Sequence, residues 1–451
     1  MTHAPLPFSW LQIVRLGLVQ TALGAVVVLI TSTINRVMVV ELALPAIVPG
    51  GLVALHYATQ VLRPRWGYGS DVGGRRTPWI VGGMAALCLG GFGAAVATAL
   101  AASHLAAGLA LAILSFLLVG MGAGAAGTSL LVLLATGVEA GRRGAAATIV
   151  WVMMIAGFAV TAPLAGHFLD PFSGARLVAV SGSVSLIAFL VAVLAVTGIE
   201  PARSRRAAAL PEKKPPFRAV LAQVLAEPAA RRFTLFIFVS MLAYSAQELI
   251  LEPYAGLVFA MTPGATTKLA GLQHGGVLAG MLCVAGITVF LGGPLLGSLK
   301  LWTAIGCALS ALALAAIAFG GPVGPGFPLR AAVAGLGFGN GVYAVAAIGS
   351  MMALAGRGGE TERGTRMGVW GAAQGIAFGA GGFLGTLAVD LARLVTVEPV
   401  YAYAAVFAGE ALLFLVALAI SLGVEHATVG KRKNPLTETA SFQLSPGFDA
   451  R

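Results

Sequence analysis

The stretch Gly67-Tyr68-Gly69-Ser70-Asp71-Val72-Gly73-Gly74-Arg75-Arg76-Thr77-Pro78-Trp79-Ile80 decides the fold of this chain. It is the only dense cluster of charge in the first hundred residues, and apolar spans flank it at 50–62 and 80–101. A glycine-rich segment with one acid and two adjacent arginines, set between two such spans, reads as a tight turn at the cytoplasmic face of a membrane. Gly67 and Gly74 let the backbone bend and let helices approach closely. Asp71 is placed to cap a helix end or to pair with an arginine. Arg75 and Arg76 hold the turn on the cytoplasmic side.

Outward from this turn the chain is apolar. Hydrophobic residues make up 58% of it and charged residues 10%, against roughly 25% charged in a soluble domain. Apolar runs of about 18 residues or more are each long enough to cross a bilayer as a helix. Twelve occur, near 14–33, 45–63, 79–102, 107–135, 145–168, 176–198, 233–258, 270–296, 300–319, 329–355, 366–389 and 400–423. They are rich in Leu, Ala and Gly and lack the alternation of a lipid-facing strand, so the expected protein is all-α, with twelve transmembrane helices. The 61 glycines sit inside the spans, where small residues permit close helix contact. Gly120-Met121-Gly122-Ala123-Gly124-Ala125-Ala126-Gly127 contains a G-x-G-x-x-G string. No strand–helix unit surrounds it, so it reads as helix packing and not as a dinucleotide site.

The net charge of +11 would suggest nucleic acid in a soluble protein. Here its distribution explains it. With the N-terminus inside, only Arg36, Arg176, Lys268, Arg330 and Arg393 of the 28 Lys and Arg fall on outer segments. That asymmetry follows the positive-inside rule and places both termini in the cytoplasm, with no nucleic-acid partner. Cys88, Cys283 and Cys307 all lie within spans and read as free thiols. No zinc spacing or disulfide framework is present. The first ten residues lack a cleavable-signal pattern and read as an interfacial lead into the first helix.

Residues 200–232 break the apolar pattern with five prolines and clustered Lys and Arg. They read as a cytoplasmic linker with a short surface helix near 217–225. The linker separates a six-helix bundle at 1–199 from a second at 233–424, and 425–451 forms a cytoplasmic tail. The halves also resemble each other. Arg142-Arg143-Gly144, then Trp151, recurs as Glu362-Arg363-Gly364, then Trp370; Trp79 recurs as Trp302. A shared offset of about 220 residues fits two pseudo-symmetric six-helix bundles.

Few residues break the membrane pattern, and such residues usually face the protein interior. Glu248 and Glu252 lie four apart in the seventh span, on one helix face. They read either as a proton, cation or pigment site or as a pair near the outer end, solvated or bonded to a neighbouring helix. Glu410 stands alone in the twelfth span. Arg36 and Glu41, five apart after the first span, suggest an ion pair across a turn. His56 sits mid-span in the second helix and His274 early in the eighth. A neutral imidazole binds a metal through one nitrogen. The magnesium of a chlorin needs only one axial ligand, and Gly275 and Gly276 beside His274 would leave room for a flat macrocycle. The alternative is a histidine bonded to a neighbouring helix. No other metal is expected to bind directly.

The charged turn resembles the G-x-L-x-D-x-x-G-R-R loop between helices 2 and 3 of the major facilitator superfamily, with Gly69 in place of the usual Leu. Asn35-Arg36-Val37-Met38-Val39-Val40-Glu41-Leu42, Leu52-Val53-Ala54-Leu55-His56-Tyr57 and Gly74-Arg75-Arg76-Thr77-Pro78-Trp79 resemble the PucC/LhaA family, a branch of that superfamily in phototrophic bacteria. The similarity continues through Gly275-Gly276-Val277-Leu278 and Arg363-Gly364-Thr365-Arg366-Met367-Gly368-Val369-Trp370. The resemblance implies an assembly factor for light-harvesting complexes in the photosynthetic cytoplasmic membrane. It implies antenna polypeptides and the reaction-centre antenna complex as partners, and bacteriochlorophyll, with carotenoid or lipid, as ligand. It raises His56 and His274 as pigment ligands. Branch members are sometimes called bacteriochlorophyll synthase subunits. Asp71, Asp170, Asp390 and Asp449 are isolated, however, and form no DxxxD pair of the kind that holds magnesium diphosphate. No nucleophile–base set stands out either, so the chain is read as no enzyme. The rival expectation is a proton-coupled secondary transporter of a small solute, with Glu248 and Glu252 as its proton site.

Overall fold

In the computed structural model, residues 7–62, 75–200, 226–357 and 360–423 are described, with the side chains at 61, 140, 294, 352–368 and 371–372 excepted. Gly67, Asp71 and Gly74, the expected surface helix at 217–225 and the tail at 425–451 lie outside the described residues.

Helices follow the apolar spans. In the first half, α1 runs Trp10–Glu41, α2 Ile47–Ala58, α3 Thr77–Ala101, α4 Leu105–Gly137, α5 Arg143–Leu169 and α6 Gly174–Val196. In the second, α7 runs Pro228–Phe259, α8 Pro263–Phe290, α9 Leu299–Gly320, α10 Leu329–Arg357, α11 Glu360–Arg393 and α12 Pro399–Leu422. Among the described residues, the twelve expected spans are met by eleven helices long and apolar enough to cross a bilayer and by the shorter α2, which continues as a tighter turn at Thr59–Leu62. Polar residues start several of them. Ser9, Ser173, Thr262 and Ser298 each accept a hydrogen bond from the backbone N–H three residues on, which satisfies a donor that the first turn leaves free. Proline stands in the first turn of α3, α7, α8 and α12, where its missing N–H costs nothing.

Three expectations need correction. The first span does not end near residue 33. Two π-helical segments, Leu29–Ile34 and Val37–Glu41, carry α1 on to Glu41. A π-helix bonds residues five apart, so Arg36 and Glu41 pair along one helix face and not across a turn. Glu200 does not open a free linker. Its carboxylate accepts from the backbone N–H groups of Arg76 and Thr77 at 2.9 Å and from the Thr77 hydroxyl at 2.9 Å. The acid that caps α3 beside Arg75 and Arg76 therefore comes from the end of α6. Finally, α7 begins at Pro228, inside the expected linker.

Two hydrophobic cores form, one from side chains between Phe8 and Ile199 joined by Leu249, the other from side chains between Phe233 and Ala417. A third joins α1, α5 and α8 across the halves through Val28, Phe158, Ala165, Ala270 and Met281. The far end is the end of the bundle where α1 turns into α2. Several hydrogen bonds tie the halves together toward it. Asp390 at the end of α11 accepts from the Ala46 and Ile47 N–H groups at the start of α2, at 3.0 and 2.8 Å. Asp170 at the end of α5 accepts from the Gly264 N–H and the Thr262 hydroxyl at the start of α8, at 3.2 and 3.0 Å. The two aspartates, about 220 residues apart, are symmetry-related clamps, each setting a carboxylate on a positive helix end. Asp170 and Asp390, isolated in the sequence, both join the halves.

Asp170→Asn with Asp390→Asn keeps the shape but removes both charges from the helix ends, a loss of about 0.3–2 kcal/mol each. The double variant should let a hydrophilic thiol reagent reach a cysteine placed at Thr33 on the seam. Unchanged protection at that position would show that the clamps do not hold the far end.

Candidate functional site

After Arg231 and Arg232 near its start, the α7 helix is mostly apolar; Tyr244, Gln247, Glu248 and Glu252 break the pattern near its centre. Glu248 and His274 meet between α7 and α8, with His274 Nε2 3.8 Å from a Glu248 oxygen. The other ring nitrogen, Nδ1, lies 2.9 Å from the Ala270 carbonyl one turn back on α8. A carbonyl only accepts, so Nδ1 carries a proton, and in the neutral imidazole Nε2 then holds the lone pair. At 3.8 Å, Nε2 is beyond hydrogen-bond range of Glu248. Phe158 of α5 meets the imidazole edge-on, with centroids 4.8 Å apart. His274 is 3% exposed. A side chain added at Gly275 would meet nothing within 4 Å, whereas one at Gly276 would lie 2.5 Å from the Ala334 carbonyl of α10. Gly276 therefore seats α10 and does not leave room for a macrocycle, as the sequence suggested; only Gly275 faces open space.

Glu252 lies one turn further along α7 and is 3% exposed, so it is not a solvated end residue. Ser32 and Arg36 of α1, with Glu248, are its polar neighbours. The π-segments bring α1 against this site. Asn35 donates to the Leu249 carbonyl at 2.6 Å, the Thr33 and Thr267 hydroxyls lie 2.9 Å apart, and Arg36 donates to the Met261 carbonyl at 2.7 Å. Arg36 also pairs with Glu41, and Gly256 leaves space for its guanidinium, since a Cβ there would lie 3.0 Å from it.

Three aromatic rings continue the interior away from the far end. Tyr57 of α2, Phe378 of α11 and Tyr244 of α7 meet in sequence, with centroids 5.6 and 5.7 Å apart. His56 is buried beside Tyr57, edge-on at 4.7 Å. Its backbone carbonyl lies against Gly120 of α4. The two candidate histidines are not brought together: α2 packs on α4 and α11, while α8 packs on α5 and α10.

Other expected residues lie elsewhere. Arg142 stands before α5 with its guanidinium 4.1 Å above the Trp10 ring, an anchor near the N-terminus. Arg363 falls in α11 with its side chain outside the described residues. Arg75 and Arg76 stand at the start of α3, away from the histidines. Asn35, Tyr57 and Phe378 were missed. The run that holds Asn35 and Arg36 was visible in the sequence, but its π-helical path was not. Among the described residues, no group of three His, Cys, Asp or Glu is placed to hold a bare metal ion. In the neutral form of His274 the site offers one imidazole lone pair, with a carboxylate beside it, a second carboxylate near an arginine, and aromatic walls.

A family model described as PUCC protein matches residues 33–429. Over 93% of this chain and 96% of the relative, it is 54% identical to the Bacteriochlorophyll synthase 44.5 kDa chain of Rhodobacter capsulatus. It is 29% identical to Protein PucC of Cereibacter sphaeroides, over 93% of this chain and 94% of that one. Among solved structures, a proton-dependent oligopeptide transporter superposes with a TM-score of 0.67 at 15% identity, covering 92% of this chain and 97% of the transporter. The nucleoside transporter NupG superposes with a TM-score of 0.65 at 14% identity, covering 91% of this chain and 99% of NupG. These likenesses identify the fold as that of the major facilitator superfamily.

Proposed function

The chain belongs to the PUCC protein family, and from that membership and the interior just described we propose that it is a membrane assembly factor for bacterial light-harvesting complexes. It holds bacteriochlorophyll between its helical halves and binds antenna polypeptides on its outer face. The observation that carries this reading is the placement of His274: a buried imidazole, its Nδ1 proton tied to Ala270 and its Nε2 without a hydrogen bond, 3.8 Å from Glu248. Fixing one ring nitrogen on a carbonyl is the usual way to orient the other toward a metal. A chlorin supplies four nitrogens to its own magnesium and needs one axial donor, so His274 suffices. The residues fit such a ligand: Gly275 opens on free space, and Tyr57, Phe378 and Tyr244 provide flat apolar walls. Glu248 would stay close to the ligating nitrogen. Arg36 offsets the charge of Glu252 and keeps α1 in place.

The name of the relative from Rhodobacter capsulatus includes the word synthase. The role proposed here is holding and delivery, with no bond made or broken. The membrane is the bacterial photosynthetic membrane, and the termini are cytoplasmic, as the sparse Lys and Arg of the outer segments argue. Cysteines placed between 201 and 225 should stay unlabelled by an impermeant maleimide added to intact cells; efficient labelling would reverse the orientation.

The partner side of the proposal rests on helix packing. Antenna polypeptides are single membrane helices, and small residues let helices approach in lipid. A groove of about 550 Å³ on the outer face of α1, α5 and α6 is lined by Ala22, Ala25, Ala165, Ala179 and Ser183. Photo-crosslinkers placed at these positions in cells making antenna should trap an antenna polypeptide. Crosslinks formed only from loop positions would argue for another mode of partnership. The rival reading, a proton-coupled transporter, draws on the solved structures of the same fold and would assign Glu248 and His274 to proton transfer.

A further inference from the structure

Glu410 takes no part in the site above. It lies on α12 among Tyr403, Phe407 and Phe414, all turned inward, and is 3% exposed. Neither carboxylate oxygen has a hydrogen-bond partner among the described residues. Gln247 of α7 is completely enclosed, and neither end of its amide has one. Asn340 of α10 is enclosed too. Its Oδ1 accepts from Ser310 of α9 at 2.8 Å, while its Nδ2 has no partner. In a membrane interior an unsatisfied polar group costs several kcal/mol, and the free oxygens of Glu410 and Gln247 are acceptors that a positively charged partner would satisfy.

The contacts around them fix their level. Tyr254 of α7 donates to the Ile317 carbonyl of α9 and packs on Tyr403 and Phe407 of α12, with centroids 5.7 and 5.1 Å away. Gln247 lies two turns before Tyr254 on the same face, and Ser310 two turns before Ile317. On α12, which runs the other way, Glu410 lies one turn past Phe407. Tyr343 of α10 packs on Phe414 at 5.7 Å, and Asn340 and Glu410 each lie about one turn before those rings. Gln247, Ser310, Asn340 and Glu410 thus form one polar layer, within about a turn, inside the second bundle. On α7, Gln247 lies about 100° around the helix from its neighbour Glu248, which faces α8.

We propose that this layer is a binding site for one small monovalent cation, sodium, separate from the site between the halves. The donor set consists of oxygens: the Glu410 carboxylate, the Gln247 and Asn340 amide carbonyls and the Ser310 hydroxyl. Oxygen donors select hard cations. With Glu410 ionised, the layer holds a single formal charge, which one monovalent ion balances and a divalent ion exceeds. A lone carboxylate at this depth is strongly unfavourable without a counter-ion. The side chains do not bond directly to one another, apart from Ser310 and Asn340, which is the arrangement an interposed ion requires.

The test uses the full chain, purified in choline chloride and reconstituted in lipid nanodiscs, with radioactive sodium as the probe. Wild type should bind one sodium per chain in a saturable manner. Glu410→Gln should weaken that binding by about tenfold or more. Gln247→Leu, which keeps the charge and removes one donor, should also weaken it by about tenfold and serves if Glu410→Gln does not fold. Absence of saturable sodium binding by wild type overturns the proposal. So does binding left unchanged by either folded variant.

Discussion

Replacing His274 by phenylalanine should strip bound bacteriochlorophyll from the folded protein. Phenylalanine keeps an aromatic ring of similar size against Phe158, so the packing of α8 on α5 is retained. It removes the only lone pair that the imidazole can offer, since Nδ1 is already spent on the Ala270 carbonyl. Loss of an outer partner alone lowers metal affinity 10–100-fold, so loss of the ligand itself should lower pigment per folded chain by roughly tenfold or more. Chlorin absorbance relative to protein absorbance, measured on material that elutes as a monodisperse peak, gives the answer. His56→Phe should leave most of the pigment, because α2 and α8 lie apart. Full pigment content in the His274→Phe protein would remove this residue from the site, and loss of pigment only in His56→Phe would move the site to α2.

Gly341→Leu should abolish accumulation of folded protein. A Cβ at Gly341 would lie 2.0 Å from the Val277 carbonyl oxygen, and one at Gly337 2.0 Å from that of Gln273. Both contacts are to backbone, so no rotamer relieves them and α8 and α10 must separate. Overpacking of this kind costs about 1–3 kcal/mol for small additions, and a leucine adds far more volume than one methyl. Close contact between small residues is also the main source of helix association in lipid. The displaced segment, 273–277, contains His274. Gly341→Ala should therefore lower thermal stability and loosen pigment together, while Gly409→Ala, with nothing within 4 Å of its added methyl, should change neither. Equal stability of the Gly341 and Gly409 variants would show that α8 and α10 do not depend on this contact.

The fold was legible because membrane helices announce themselves by length and apolarity, and the basic residues sort the loops. The internal offset near 220 was legible from Trp79, Trp302, Arg142 and Arg363. The same offset relates Asp170 to Asp390, and that signal was available; they looked isolated because each finds its partner in the other half. The site was legible residue by residue and not as a site. Glu248 and His274 stood out as polar breaks in apolar spans, but their meeting depends on how α7 and α8 rotate. The π-segments of α1 carry no sequence mark, so the five-residue spacing of Arg36 and Glu41 read as a pair across a turn. Gly276 looked like space for a ligand and proved to be space for α10, because a glycine says only that something comes close.

The central claim, that this chain carries chlorin pigment for antenna assembly, is tested most directly by the absorption spectrum of wild-type protein purified gently from a photosynthetic membrane. The account predicts chlorin bands that co-elute with the protein at a fixed ratio and diminish in the His274→Phe preparation. A colourless wild-type protein, folded and pure under the same extraction, would contradict it and favour transport of a small solute.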